Sequence, residues 1–295
     1  MQNLLVNYLK PDTQHRAGGS KLFENAQTSL FDDMFPIESS KNTIANNAEL
    51  IVEKITVPAE LPRLSRPRLL ALLQKSLASC TSTFLSGRAG TGKSGLARDF
   101  ARNCGRGVAW YKVDAAEGEL EIFLQYLIAS IRTQRPNFGS TALLPGAGIA
   151  QLDQISMLAE AFVYELVEGE NKPLLIVIED LHLIFDSEWL VPFFRRLLPL
   201  LPSEVHVLIT SRTMPPAPLW RMRSKQTLSV VEEEVLAFTR QETIELFESY
   251  GLSSEQANIA SDHAHGRAAA LTGFAATLNE SEKGICEVDL HADGN

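Results

Sequence analysis

An α/β fold, with a parallel β-sheet sandwiched by helices and a small all-helical subdomain behind it, is what the 295-residue sequence predicts. Three observations carry this. Between residues 55 and 227, short apolar runs alternate with amphipathic helical patterns, which calls for right-handed crossovers and a sheet covered on both faces. A glycine-rich segment joins the first of those strands to the helix after it. Beyond about Thr227 the strand signals stop and only helical periodicity remains.

In chain order, Arg68 to Leu77 (RLLALLQKSL) has helical apolar spacing. Ser82 to Ser86 reads as a strand, and Lys93 to Asn103 as a helix with Leu96 and Phe100 on one face. A second strand, Val108 to Val113, precedes an amphipathic helix from about Glu117 to Ile131. A loop holding Pro136, Gly139, Pro145 and Gly148 leads to a helix from Leu152 to Val167. The third strand, Leu174 to Ile178, ends in two acids; Asp186 is placed to cap the next helix, and Val205 to Thr210 is the fourth strand. In the helical part, Thr239-Arg240-Gln241-Glu242 is a capping box opening a helix through Tyr250, ended by Gly251. Helices from about Ser254 to His263 and from Arg267 to Leu278 follow.

The ends differ from this middle. Asp12 to Asn47 is rich in Asn, Ser, Gln, Gly and acids and cannot offset chain entropy by burial. The sequence therefore divides into a mostly disordered arm (1–54), a sheet domain (55–227), a helical lid subdomain (228–278) and an acidic tail (279–295). Within the arm, Ser29 to Glu38 sets bulky apolar residues beside acids. Such an island either docks on a partner protein or packs locally on the domain behind it.

The chain has 27 Lys and Arg against 36 Asp and Glu, a formal charge of −9. That balance disfavours wrapping nucleic acid through phosphate neutralisation, though a local basic patch remains compatible with it. Cys80, Cys104 and Cys286 are far apart and form no CxxC pair, which excludes a disulfide scaffold or zinc finger and fits a reducing compartment. The first residues lack a basic start and an apolar stretch, so no signal peptide is expected, and no apolar run is long enough to span a membrane. The expectation is a cytoplasmic protein with no membrane association.

The sharpest chemical signal is Gly87-Arg88-Ala89-Gly90-Thr91-Gly92-Lys93-Ser94, a full GxxxxGK[ST] match lying between a strand and a helix. Glycines let the backbone curl so that successive N–H groups point at phosphate oxygens, and the following helix adds its positive dipole end. Lys93 reaches the β- and γ-phosphates and the Ser94 hydroxyl ligates Mg²⁺. The motif predicts a nucleotide-binding site of the P-loop NTPase type. Glu179 and Asp180, at the end of a buried strand, are the candidates to hold Mg²⁺, partly through water, and to position or deprotonate an attacking water. The first of the two is Glu where such enzymes usually carry Asp. Arg212, just past the fourth strand, is placed either to sense the γ-phosphate or to form a surface ion pair. Arg63, Arg66 and Arg68 cluster before the first helix, as a nucleotide or DNA-backbone contact or as a solvated helix start. His182 is expected to pack locally, and Cys80 and Cys104 to act as small apolar residues.

LSRPRLLALL (64–73), the phosphate loop, VAWYKVD (108–114), IEDLHLI (178–184), LITSR (208–212) and LAFTRQETIELF (236–247) occur in that order. Together they resemble the ATPase module of MalT-like regulators, in the STAND class of P-loop NTPases, over roughly residues 55–275. The resemblance implies a switch that holds ADP at rest, exchanges it for ATP on a signal, exposes an oligomerisation surface and resets by slow hydrolysis. It implies that Arg212 is the γ-phosphate sensor and Arg66 a nucleotide-proximal residue, and it favours ATP over GTP, as does the lack of N-K-x-D. Gly266-Arg267-Ala268 stands where the class often has Gly-x-Pro, with Ala268 replacing the proline. The sequence shows neither the sensor nor the DNA-reading helix of full-length members, so the expectation is a free-standing switch whose partner supplies the rest. A DNA-associated ATPase of the AAA type is the alternative, with a small-molecule kinase and a non-hydrolysing scaffold behind it.

Overall fold

The computed structural model describes residues 50–139, 143, 152–168 and 172–292. Most of the arm, including 29–38, and Pro145 and Gly148 of the long loop lie outside them. The described residues belong to the unit that begins at Leu50.

In chain order the elements are α1 (Pro67–Ser79), β1 (Ser82–Ser86), α2 (Lys93–Asn103), β2 (Gly107–Lys112), α3 (Leu120–Arg132), α4 (Leu152–Glu168), β3 (Leu174–Glu179), α5 (Leu190–Leu197), β4 (Val205–Ser211), α6 (Ala217–Trp220) and β5 (Leu228–Val231). The lid follows as α7 (Glu233–Leu236), α8 (Arg240–Glu248), α9 (Ser254–Ala264) and α10 (Ala268–Ala292). The five strands lie in the order β2-β3-β4-β1-β5, every pair parallel. Crossover helices cover both faces, so β1, β3 and β4 are buried throughout and read as unbroken apolar or small-polar runs.

Strand alternation splits the core in two. From β3, Leu174, Ile176 and Ile178 join Phe84, Tyr111, Phe123, Phe162 and Phe193 on the side of α3, α4 and α5. Leu175 and Val177 face the other way, with Leu69, Leu73, Leu96, Phe100 and Trp110 under α1 and α2. The lid has its own core of Leu246, Phe247, Leu252, Ala257, Ala260 and Leu271. Its small alanines let α8, α9 and α10 approach closely. No helix among the described residues is long and apolar enough to cross a membrane.

Three features differ from the sequence expectation. Strands do not stop at Thr227: β5 pairs with β1 from Ser82–Leu228 to Leu85–Val231, so the sheet extends past the expected boundary. Four residues, two of them only half-buried, are too few to show a period. Asp186 does not cap α5, which opens at Leu190 behind Trp189. The preceding turn is pinned instead by Ser187 Oγ and Trp189 Nε1, both donating to Gly118 O at 2.8 and 2.6 Å. The last helix runs through most of the expected tail, to Ala292. The capping box is as expected: Thr239 Oγ1 accepts from Glu242 N at 3.1 Å, and Glu242 Oε2 from Thr239 N at 2.9 Å.

The segment before α1 is anchored early. Val52–Ile55, inside the stretch assigned to the arm, is a 3₁₀ turn. Its Lys54 Nζ lies 2.5 Å from Glu117 Oε1, whose other oxygen accepts from Tyr111 OH and Asp114 N, both at 2.8 Å. Every acceptor on the buried Glu117 thus has a donor, as a buried carboxylate requires.

A polar chain crosses the core beneath β1 and β4. His206 Nδ1 donates to Cys80 O at 3.2 Å, because a carbonyl only accepts, and so Nε2 accepts from Thr83 Oγ1 at 2.8 Å. Thr83 in turn accepts from Ser76 Oγ at 2.6 Å. The chain is complete only with neutral imidazole, and burial pushes the His206 pKa down to about 4. The unfolded chain therefore takes up this proton first as pH falls from about 6.5 towards 4, and stability drops by about 3 kcal/mol across that window. Denaturant unfolding at a series of pH values checks this; His206→Gln is expected to flatten the profile there.

Candidate functional site

The phosphate loop leaves β1 at Ser86 and enters α2 at Lys93, as its sequence position requires. Gly90 and Gly92 have φ of +80° and +91°, the left-handed region open to glycine. A Cβ on Gly90 would also stand 2.8 Å from the Ala269 Cβ, and one on Gly92 3.1 Å from both the Ala268 Cβ and an Arg66 nitrogen. The start of α10 therefore rests on the loop, and Ala269 N donates to Gly90 O at 2.9 Å. Neighbouring strands fix the loop from below, with Gly87 N donating to Ser211 O at 3.2 Å.

Lys93 is 6% exposed. Its Nζ donates to Gly87 O, to Arg88 O at 2.9 Å and to Thr91 Oγ1 at 3.3 Å. Burial pushes its pKa below the ordinary lysine value, and Asp180 pulls the other way. A cleft of about 870 Å³ opens here. Gly90, Gly92, Lys93, Ser94, Asp180 and Arg212 lie at one end, and Pro62, Arg63, Leu64, Leu246 and Tyr250 also line it. Such a cleft has the size and polar-apolar lining of a nucleotide pocket.

The two carboxylates part company. Asp180 lines the cleft, with its backbone in the left-handed region at φ 59° and its N–H donated to Thr210 Oγ1 at 3.0 Å. Glu179 completes β3 beside Lys112, is buried and is not among the lining residues, although its charge reaches Lys93. Arg212 lines the cleft at the end of β4, and its charge is felt by Lys93 and His182. His182 sits with Nδ1 3.9 Å from Asp180 Oδ1 and without a hydrogen-bond partner. Burial lowers its pKa, opposed by Asp180, so the ring is neutral at physiological pH. Among the described residues no three His, Cys, Asp or Glu gather as a metal cage.

The arginine cluster grips the lid. Arg63 donates to Ser249 O at 2.7 Å and stacks 3.9 Å over the Tyr250 ring. The buried Arg66 donates to Leu236 O at 2.7 Å, stacks 4.5 Å over Phe238 and lines the cleft. Its pKa is lowered by burial, with Glu242 opposing. Arg68 pairs with Glu242 at 3.1 Å and donates to Val235 O and Ala237 O. Sequence reading singled out these cations but missed their partners, which lie some 170 residues away and carry no local signal. It also missed Glu233, which reaches Arg88, and, though it named Arg267 within the Gly-Arg-Ala segment, it missed that this side chain reaches Ala89 of the loop.

The close approach at Gly90 can be tested. Gly90→Ala is expected to lower stability by about 1–2 kcal/mol from the left-handed backbone alone, and further through the clash with Ala269. In a double-mutant cycle with Ala269→Gly, read by chemical denaturation, the second change should return the clash component only.

Residues 65–210 match the AAA ATPase domain family. The chain is 29% identical over 238 residues to the HTH-type transcriptional regulator MalT of Serratia proteamaculans, covering 79% of this chain and 26% of that protein. It is 28% identical over 227 residues to MalT of Vibrio cholerae, covering 75% and 24%. It thus spans about a quarter of the length of these relatives. Among solved structures, the Walker-type ATPase of Pyrococcus abyssi superposes with a TM-score of 0.47 at 14% identity, over 80% of this chain and 78% of that one. The chain carries an AAA ATPase domain of the P-loop type, related to part of the MalT regulators.

Proposed function

We propose that this chain is an ATP-binding signalling switch with slow hydrolysis, which regulates a partner protein through nucleotide-dependent conformation or assembly. The observation that carries the reading is the lid resting on the phosphate loop. The cleft is walled by loop, arginine cluster and lid together, so a bound nucleotide would hold the two parts together and its loss would free them.

Within this reading, the N–H groups of Ala89 to Ser94, Thr91 among them, cradle the phosphates, while those of Gly87 and Arg88 are taken by Ser211 O and Glu233. Lys93 exchanges its carbonyl partners for phosphate oxygens. Ser94 and Asp180, hard oxygen donors lining the same end of the cleft, suit a Mg²⁺ held mainly by nucleotide phosphates, with Glu179 acting from behind through water. Asp180 orients or deprotonates the attacking water, and Arg212 senses the γ-phosphate. Arg66 lies along the nucleotide. With Glu179 absent from the cleft lining and Asp180 the member of the pair that reaches it, the arrangement suits slow turnover better than fast. The partner contact is assigned to residues 29–38.

Nucleotide released on denaturing the freshly purified protein tests this. The expected result is near-stoichiometric ADP, absent from Lys93→Ala, with Asp180→Asn retaining nucleotide and losing turnover by at least about a hundredfold. A protein that holds no nucleotide, or one that turns ATP over fast without change in assembly, would overturn the reading.

One observation favours the DNA-associated alternative. Residues 205–231 contain no Asp or Glu, and Arg212, Arg221, Arg223 and Lys225 are all exposed there. That reading requires ATP-dependent binding to duplex DNA that weakens steeply with salt, measured by fluorescence anisotropy. On the switch reading, no such binding is expected.

A further inference from the structure

Three successive phosphate-loop residues are held through polar contacts by α7, whose Leu236 packs under α1 and α2, and by the start of α10 in the lid. Glu233, the first residue of α7, accepts from Arg88 three times: from its main-chain N at 2.8 Å, from Nε at 2.9 Å and from an Nη at 2.7 Å. Arg267, just before α10, donates from Nη and Nε to Ala89 O at 2.6 and 3.2 Å. Gly90 O takes the Ala269 N–H. Behind these contacts lies a second cavity of about 290 Å³, walled by Arg88, Thr91, Glu233, His263, Arg267 and Phe274. It shares no lining residue with the nucleotide cleft.

The cavity decides how this side of the lid is held. Where packed side chains meet, dispersion and burial resist opening; here much of the space behind the contact is open, and hydrogen bonds and charge do the holding. The Arg88 side chain is 78% exposed, so solvent ions reach the pair. The Glu233 carboxyl, held below the usual carboxylate range by Arg88, stays ionised at physiological pH. Meanwhile Gly90, Ala268 and Ala269 all line the nucleotide cleft, so the contact at residues 88–90 must break before α10 can lift and open it.

We propose that Glu233 and Arg267 form a clasp on Arg88 and Ala89 that sets how long the nucleotide stays bound, and that it yields to ionic strength. This rests on the nucleotide-switch reading above. The clasp acts on the release rate, because it must open for the nucleotide to leave. It adds no contact to the nucleotide.

The test is stopped-flow release of a fluorescent ADP analogue from the full chain. Glu233→Gln and Arg267→Ala are each expected to release it about tenfold faster, equivalent to about 1.4 kcal/mol. Release from the unaltered protein should accelerate between 50 mM and 500 mM salt, and this dependence should largely vanish in Glu233→Gln. Exchanging the charges, Arg88→Glu with Glu233→Arg, restores the side-chain pair but not the acceptor for the residue-88 N–H, so it should recover slow release in part, which a merely structural role for either residue would not produce. Release rates within twofold of the parent in both single variants, or a salt-independent parent, would overturn the clasp and leave the switch reading standing. A parent that binds no nucleotide would overturn both.

Discussion

The backbone of the phosphate loop is contacted from several directions at once, and the two parts of the molecule are organised around that crowding. From the sheet, Ser211 O takes the Gly87 N–H; from within, Lys93 closes on the Gly87 and Arg88 carbonyls. From the lid come Glu233, Arg267 and Ala269, and from the approach to α1 comes Arg66 against Gly92. A side chain at 90 or 92 would meet the lid, and at 92 Arg66 as well. The same glycines therefore satisfy two demands, a tight left-handed turn and a close-fitting lid, and the alanines at 268 and 269 are the complementary half of that fit.

What was legible in the sequence follows from how local each signal is. β1 and α2 appear with the expected bounds because a buried strand, a glycine turn and a helix start are each encoded within a few residues. The capping box at Thr239 is equally self-contained. β5 was illegible because its strand character comes from lying beside β1; its four residues carry no pattern of their own. Asp186 looked like a cap by residue type, but the turn there is fixed by Trp189 and Ser187 reaching Gly118, about 70 residues earlier. The arginine cluster was visible as charge and opaque as chemistry. Whether Arg66 meets solvent or Phe238 is decided by residues that follow the last strand, some 170 positions further along the chain.

The paired acids at the end of β3 show a constraint that residue types alone conceal. Neighbouring residues on a strand point to opposite faces, so two consecutive carboxylates cannot both face one cleft while the strand continues. The chain turns at Asp180 through a left-handed conformation, which costs of order 1 kcal/mol for a non-glycine residue and which aspartate tolerates better than most. That conformation is held by the Thr210 hydroxyl on the Asp180 N–H, so β4 helps to set the direction of the carboxylate supplied by β3. Strain kept in place by a neighbouring strand, at a carboxylate that lines the cleft with Lys93 and Ser94, is best explained by a demand on where that carboxylate points. Glu179 is under no such demand. It is buried at the strand end, and its charge reaches Lys93 without facing the cleft. A longer side chain at this position is thus accommodated in the buried strand end, away from the residues that line the cleft.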